Sequence, residues 1–152
     1  MIRTHELKKR DIYLKKIIAF QDTEPVKVVT GIRRCGKSSI LKLMVFHLKE
    51  CGIAEEQILE MNFESYAFKD MTSDTFYEYV RTHMIPDKRM YLFFDEVQRV
   101  PNWENAVNAF RVDFDCDICL AAYLLQIIIY WKLKLSNAEY INYTKYENQT
   151  KN

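Results

Sequence analysis

The chain has 152 residues, the size of one ordinary domain, enough to bury roughly two-thirds of the surface that the unfolded chain exposes. Hydrophobic residues at 49% and only three glycines exclude a disordered chain, and a net charge of +1 gives no compositional case for bulk nucleic-acid or membrane binding. Four cysteines in a chain of this length do not suggest a disulfide scaffold.

Residues 3–20 read as an amphipathic helix, with Leu7, Leu14, Ile17 and Ile18 at helical spacing and lysines between them. The segment Lys8-Lys9-Arg10 with Lys15-Lys16 is a candidate nucleic-acid contact, but a short run interrupted by Asp11 fits a solvated helix face better. Residues 26–30 are β-branched apart from Lys27, as in a buried strand. Residues 31–36 are a loop. Residues 38–50 place Ile40, Leu41, Met44, Val45 and Leu48 on one side of a helix that Gly52 can terminate. A second strand is predicted at 58–63, and Ser73 can cap a helix through Phe76, Tyr77 and Val80. A third strand at 90–94 ends in Asp95-Glu96. Asn102 can cap a helix holding Trp103, Val107 and Phe110, and 117–125 is a fourth strand. Strands alternating with helices imply βαβ units and a parallel sheet. Residues 1–125 thus form the core. Residues 126–152, rich in Ile, Lys, Asn and Tyr, read as an atypical, poorly ordered tail.

Gly31-Ile32-Arg33-Arg34-Cys35-Gly36-Lys37-Ser38 fits G-x-x-x-x-G-K-[ST], and Ser39 adjoins it. The glycines permit backbone angles that turn N–H groups inward around an anion. The positive end of the following helix adds to that field. Lys37 can reach β- and γ-phosphates, and the Ser38 hydroxyl can ligate Mg²⁺. A β-branched strand before the loop and an amphipathic helix after it supply the context this motif requires. The charge distribution agrees: residues 1–50 carry 12 Lys/Arg against 5 Asp/Glu, and the remainder 10 against 16.

Asp95 and Glu96 follow the apolar run Tyr91-Leu92-Phe93-Phe94. A P-loop enzyme needs a carboxylate at the carboxyl end of a neighbouring strand to hold Mg²⁺. Asp95 fits that role, and Glu96 is placed to polarise the attacking water as a general base.

Together these residues resemble an AAA+-type P-loop ATPase. More narrowly, they are similar to a prokaryotic family of predicted ATPases with a GIRRCGKS-type loop and a DE[IV]Q motif, here Asp95-Glu96-Val97-Gln98. Asn62-Phe63-Glu64 and Trp103-Glu104 after Pro101 also match, and the similarity covers about residues 10–118. The resemblance implies ATP with Mg²⁺, a three-layer α/β/α core with a mainly parallel sheet, and Glu96 and Lys37 as catalytic residues. It also implies departures. Where the family continues into a polar sensor segment, this chain has Cys119-Leu120-Ala121-Ala122-Tyr123. The family's fifth strand, helical lid and C-terminal domain have no expected counterpart, so the sheet is read as incomplete at its C-terminal side. The tail's composition would fit a deletion or a change of reading frame. Hydrolysis is therefore expected to be weak. The alternative is a non-enzymatic nucleotide-binding or interaction fragment that engages DNA, a second copy or a full-length relative.

Other candidates are weaker. Cys116-Asp117-Ile118-Cys119 has redox or zinc spacing but no second pair, and His5, His47 and His83 are scattered. Phe63, Tyr66, Phe68, Phe76, Tyr77 and Tyr79 could stack on bases, but their spacing favours a core. Residues 123–131 could form a partner-binding edge. With no apolar stretch near the ~20 residues that span a bilayer and no leader-like start, a cytoplasmic location is expected.

Overall fold

Alternation along the strands sorts the core into two faces. In the computed structural model, which describes residues 4–19, 21–23, 26–31, 37–123 and 138–142, the helices are α1 (Thr4–Ala19), α2 (Lys37–Glu50), α3 (Ser73–His83) and α4 (Trp103–Asp113). The strands are β1 (Val26–Gly31), β2 (Ile58–Asn62), β3 (Met90–Asp95), β4 (Cys116–Tyr123) and β5 (Ala138–Asn142). They form one sheet in the order β2-β3-β4-β1-β5, and every pairing is parallel. Parallel neighbours require a crossover between them, which the helices supply.

Val26 and Val28, Leu59 and Met61, Leu92 and Phe94, and Ile118 and Leu120 face one layer, packed with Phe76, Val80, Val107 and Phe110 of α3 and α4. Val29, Tyr91, Phe93, Cys119 and Ala121 face the other, packed with Tyr13, Ile17, Ile40, Met44 and Leu48 of α1 and α2. The period of two thus builds the three-layer α/β/α arrangement expected from the resemblance. Phe76 is fully buried and meets Phe94 edge-on, with ring centroids 4.8 Å apart. Phe63 is also buried, and Phe68, Tyr77 and Tyr79 pack against this cluster, so the aromatic set is core apart from Tyr66, which is 78% exposed.

Local chemistry fixes the ends. Gly52 ends α2 at φ +91°, an angle that glycine adopts without strain, while Ile53 N–H donates to the Leu48 carbonyl at 3.1 Å. The cap of α3 is Thr72 rather than Ser73: its hydroxyl accepts from Thr75 N–H at 3.2 Å, and the Thr75 hydroxyl accepts from Thr72 N–H at 2.8 Å. Asn102 does precede α4, but in a left-handed conformation and without a side-chain cap bond. Short 3₁₀ turns at Glu55–Gln57, Tyr66–Phe68 and Val97–Arg99 were not expected from periodicity, which three residues are too few to display.

The C-terminal region differs from its sequence reading. Ala138–Asn142 lies inside the stretch read as a poorly ordered tail, yet it pairs with β1 in parallel register from Val26↔Ala138 to Thr30↔Asn142. The outer edge of β1 offers a row of backbone donors and acceptors, and a five-residue segment containing Tyr and Ile satisfies them. A fifth strand is therefore present. Residues 124–137 and 143–152, including most of the suggested 123–131 edge, lie outside the described residues.

Lys27, the one charged residue of β1, is 2% exposed. Its ammonium donates to Asp117 Oδ1 and to the Thr23 carbonyl at 3.3 Å. Asp22 N–H donates to Asp117 Oδ2 at 3.0 Å, and Asp22 accepts from the Tyr91 hydroxyl at 2.9 Å and Arg89 Nε at 2.8 Å. This clasp ties together the amino ends of β1, β3 and β4. Burial first, then the hydrogen bond to Asp22, pushes the Tyr91 hydroxyl up to about 12.

Candidate nucleotide-binding site

Strands in one parallel sheet end on the same side, so the carboxyl ends of β1 and β3 open onto a common surface. β1 ends at Gly31 and α2 begins at Lys37. Ile32, Arg33, Arg34, Cys35 and Gly36 lie outside the described residues, as does the side chain of Lys37. The strand–loop–helix frame that the motif requires is present around them.

The first turn of α2 carries Ser38, whose hydroxyl donates to Asp95 Oδ2 at the end of β3. Residues 57 positions apart in sequence therefore meet, as expected of two oxygen donors that share a cation. Asp95 is only 8% exposed, whereas Ser38 is open to solvent and Ser39 is half-buried. A hydroxyl and a carboxylate in contact form a hard oxygen donor set, and Mg²⁺ takes such ligands while keeping several of its own waters. The chemistry of these donors fits that ion. Beside them lies a cleft of about 210 Å³ lined by Leu41, Lys42, Glu60, Asn62 and Phe93. Sequence patterning singled out neither Lys42 nor Glu60. Both are exposed residues of amphipathic elements, and nothing in their spacing distinguishes them from solvated surface. Asn62 stands opposite Asp95 in the ladder and accepts Glu64 N–H at 3.0 Å.

Glu96 occupies the first position beyond β3 in a left-handed conformation, φ 55° and ψ 41°. Such angles are uncommon outside glycine and are held by surrounding bonds. Its N–H donates to the Ala121 carbonyl at 3.0 Å, and its own carbonyl accepts Arg99 N–H at 3.1 Å. The side-chain amide of Gln98 donates to Glu96 Oε2. The chain thus turns sharply after Asp95, and the two carboxylates have different partners, Ser38 for Asp95 and Gln98 for Glu96. At the end of β4, Ala121 is level with Asp95, and Ala122 and Tyr123 are level with Thr30 and Gly31.

The remaining candidates separate from this site. Three positions apart on a strand means opposite faces: Cys116 packs with the α3/α4 layer and Cys119 with the α1/α2 layer. The pair cannot bind one metal. Burial pushes the Cys116 thiol up to about 12 and raises that of Cys119 as well. No group of three or more metal-ligating side chains occurs among the described residues. Lys15 pairs with Asp11 at 3.1 Å on an exposed surface, as a solvated helix face would; the side chains of Lys8, Lys9 and Arg10 are outside the described residues. Among the described residues, no helix is long and apolar enough to cross a membrane.

A parallel α/β/α core with a phosphate-loop frame and an acidic strand end defines a P-loop NTPase-type domain. A sequence profile described as "AAA domain" matches residues 23–126. A Haemophilus influenzae protein described only as uncharacterized is 37% identical over 113 residues, covering 73% of this chain and 28% of its own length. A Thermotoga maritima DNA polymerase III gamma subunit-related protein superposes with a TM-score of 0.59 at 14% identity, covering 86% of this chain and 45% of that one. The Thermotoga maritima RuvB Holliday junction branch migration motor does so with a TM-score of 0.56, also at 14% identity, covering 93% and 45%. These two structures speak for the fold. The chain belongs to the AAA domain family, within the AAA+ P-loop ATPases. It spans 28% of the Haemophilus influenzae relative and less than half of the two solved structures.

Proposed function

We propose that the chain binds Mg-ATP at the 31–38 loop and hydrolyses it slowly. The observation that carries this reading is the contact between Ser38 and Asp95, which joins the helix after the loop to the acidic end of β3. In this reading the backbone of residues 31–36 cradles the phosphates, Lys37 pairs with the β- and γ-phosphates, and Ser39 lies at the site's margin. Ser38 and Asp95 hold Mg²⁺, which when bound neutralises phosphate charge. Glu96 accepts the proton of the attacking water.

Slow turnover is inferred from Ala121 and Ala122 at the end of β4, where a polar side chain would help orient that water. The same observation favours a second reading, a nucleotide-binding module without hydrolysis that works with another copy or a longer relative. Calorimetry beside a single-turnover assay separates the two. On the first reading, Lys37→Ala abolishes ATP binding, while Glu96→Gln keeps binding and removes hydrolysis. Binding without any hydrolysis in the unaltered chain selects the second reading. Equal ATP affinity in the unaltered chain and Lys37→Ala would overturn both.

A further inference from the structure

The 3₁₀ turn Val97–Arg99 places Gln98 beside the residue that precedes the turn. A carboxylate only accepts hydrogen bonds, so the end of the Gln98 amide that faces Glu96 must be its NH₂ group. That group donates to Glu96 Oε2. The other end, Oε1, is buried and has no hydrogen-bond partner among the described residues. A buried acceptor left without a donor is unfavourable, so nothing at Oε1 holds the amide in place. The charge-assisted bond to Glu96 accounts for the orientation. Val97, fully buried, anchors the turn from below. The Glu96 backbone is fixed at both its N–H and its carbonyl, but several torsions of its side chain remain to be ordered.

We infer that Gln98 is a positioning residue: its amide holds the Glu96 carboxylate in the one orientation from which it takes a proton from water. This rests on the reading of Glu96 as general base. Gln98 itself touches neither nucleotide nor water in this role.

A purely space-filling Gln98 makes the opposite forecast. Leucine at 98 has a similar volume and removes the unpartnered Oε1, so a filler role leaves turnover intact and stability equal or higher. Single-turnover hydrolysis of Mg-ATP is measured across ATP concentrations for the full chain, Gln98→Leu, Glu96→Gln and the double variant, with thermal midpoints alongside. The expected result is a Gln98→Leu variant that is folded and at least as stable. Its maximal rate falls about ten- to a hundredfold with half-saturation unchanged. In the Glu96→Gln background the same change has no further effect, because Gln98 acts only through Glu96. Gln98→Met, unbranched and of similar length, replaces Gln98→Leu if leucine disturbs folding. Unaltered turnover in the position-98 variants, with Glu96→Gln inactive, overturns the positioning role and leaves the base assignment standing. If Glu96→Gln retains a residual rate, a further fall of that rate in the double variant also overturns it. Full turnover in Glu96→Gln, or none in the unaltered chain, removes the base reading and this inference with it.

Discussion

Replacing Asp117 with alanine isolates a charge that the fold has buried. Lys27 is 2% exposed and Asp117 7%, and the ammonium also donates to the Thr23 carbonyl at 3.3 Å. Removing one member of a buried ion pair costs about 3–5 kcal/mol, because the survivor stays desolvated. Asp22 N–H also loses its acceptor, which adds about 1 kcal/mol. With a urea slope of about 2 kcal/mol/M, the unfolding midpoint of Asp117→Ala drops by about 2–3 M. Lys27→Met, which strands the carboxylate instead, falls by a similar amount. The double variant Lys27→Met/Asp117→Leu behaves differently. The surrounding residues Ile17, Met44, Phe93 and Cys119 offer an apolar lining, and replacing both charges is expected to come within about 1–2 kcal/mol of the unaltered chain. The reasoning is refuted if the double variant loses the sum of the two single losses, since the charges would then not be compensating each other.

Three further outcomes follow from particular side chains. Ser38→Ala is expected to weaken ATP binding about tenfold in Mg²⁺ while leaving binding in EDTA unchanged, measured by calorimetry; an equal loss in both conditions counts against the shared cation. Tyr91 titrates higher in the folded chain than the value near 10 of an unfolded tyrosine, so its contribution is fully present below pH ~10 and is lost as pH rises toward about 12. Subtracting the unfolding profile of Tyr91→Phe should reveal that alkaline slope, and parallel profiles would refute it. At pH 8 a maleimide should label exposed Cys51 readily and spare Cys116 and Cys119, whose burial raises their thiols, until urea unfolds the chain. Mass spectrometry of the labelled peptides checks this, and rapid native labelling of Cys119 would contradict the packing described.

Much of this architecture was legible in local pattern. β1 to β4 announced themselves as short apolar or β-branched runs, and α2 as residues 38–50 with a glycine after them, because burial on a regular element imposes its period on the sequence. The Ser38–Asp95 contact was foreseeable because the motif puts Ser38 in the first helical turn after β1, and the carboxyl ends of β1 and β3 share one edge of the parallel sheet. What escaped depends on partners far away in sequence. Lys27 looked like an exception within β1 because its counterion lies 90 residues downstream. Ala138–Asn142 has weak strand character alone, and pairing with β1 decides its state. The cysteine spacing invited a metal until strand parity set the thiols on opposite faces. At α3, Thr72 and Ser73 both suit a cap, and only the reciprocal bonds with Thr75 separate them.

The fifth strand also changes the mechanical standing of the loop. With β4 on one side and β5 on the other, β1 is an interior rung gripped along both flanks. A loop inherits the stiffness of the strand that launches it. Sliding Gly31 by even one residue would break two ladders at once and turn every β1 side chain to the wrong layer. The point from which the phosphate loop springs therefore behaves as a fixed post.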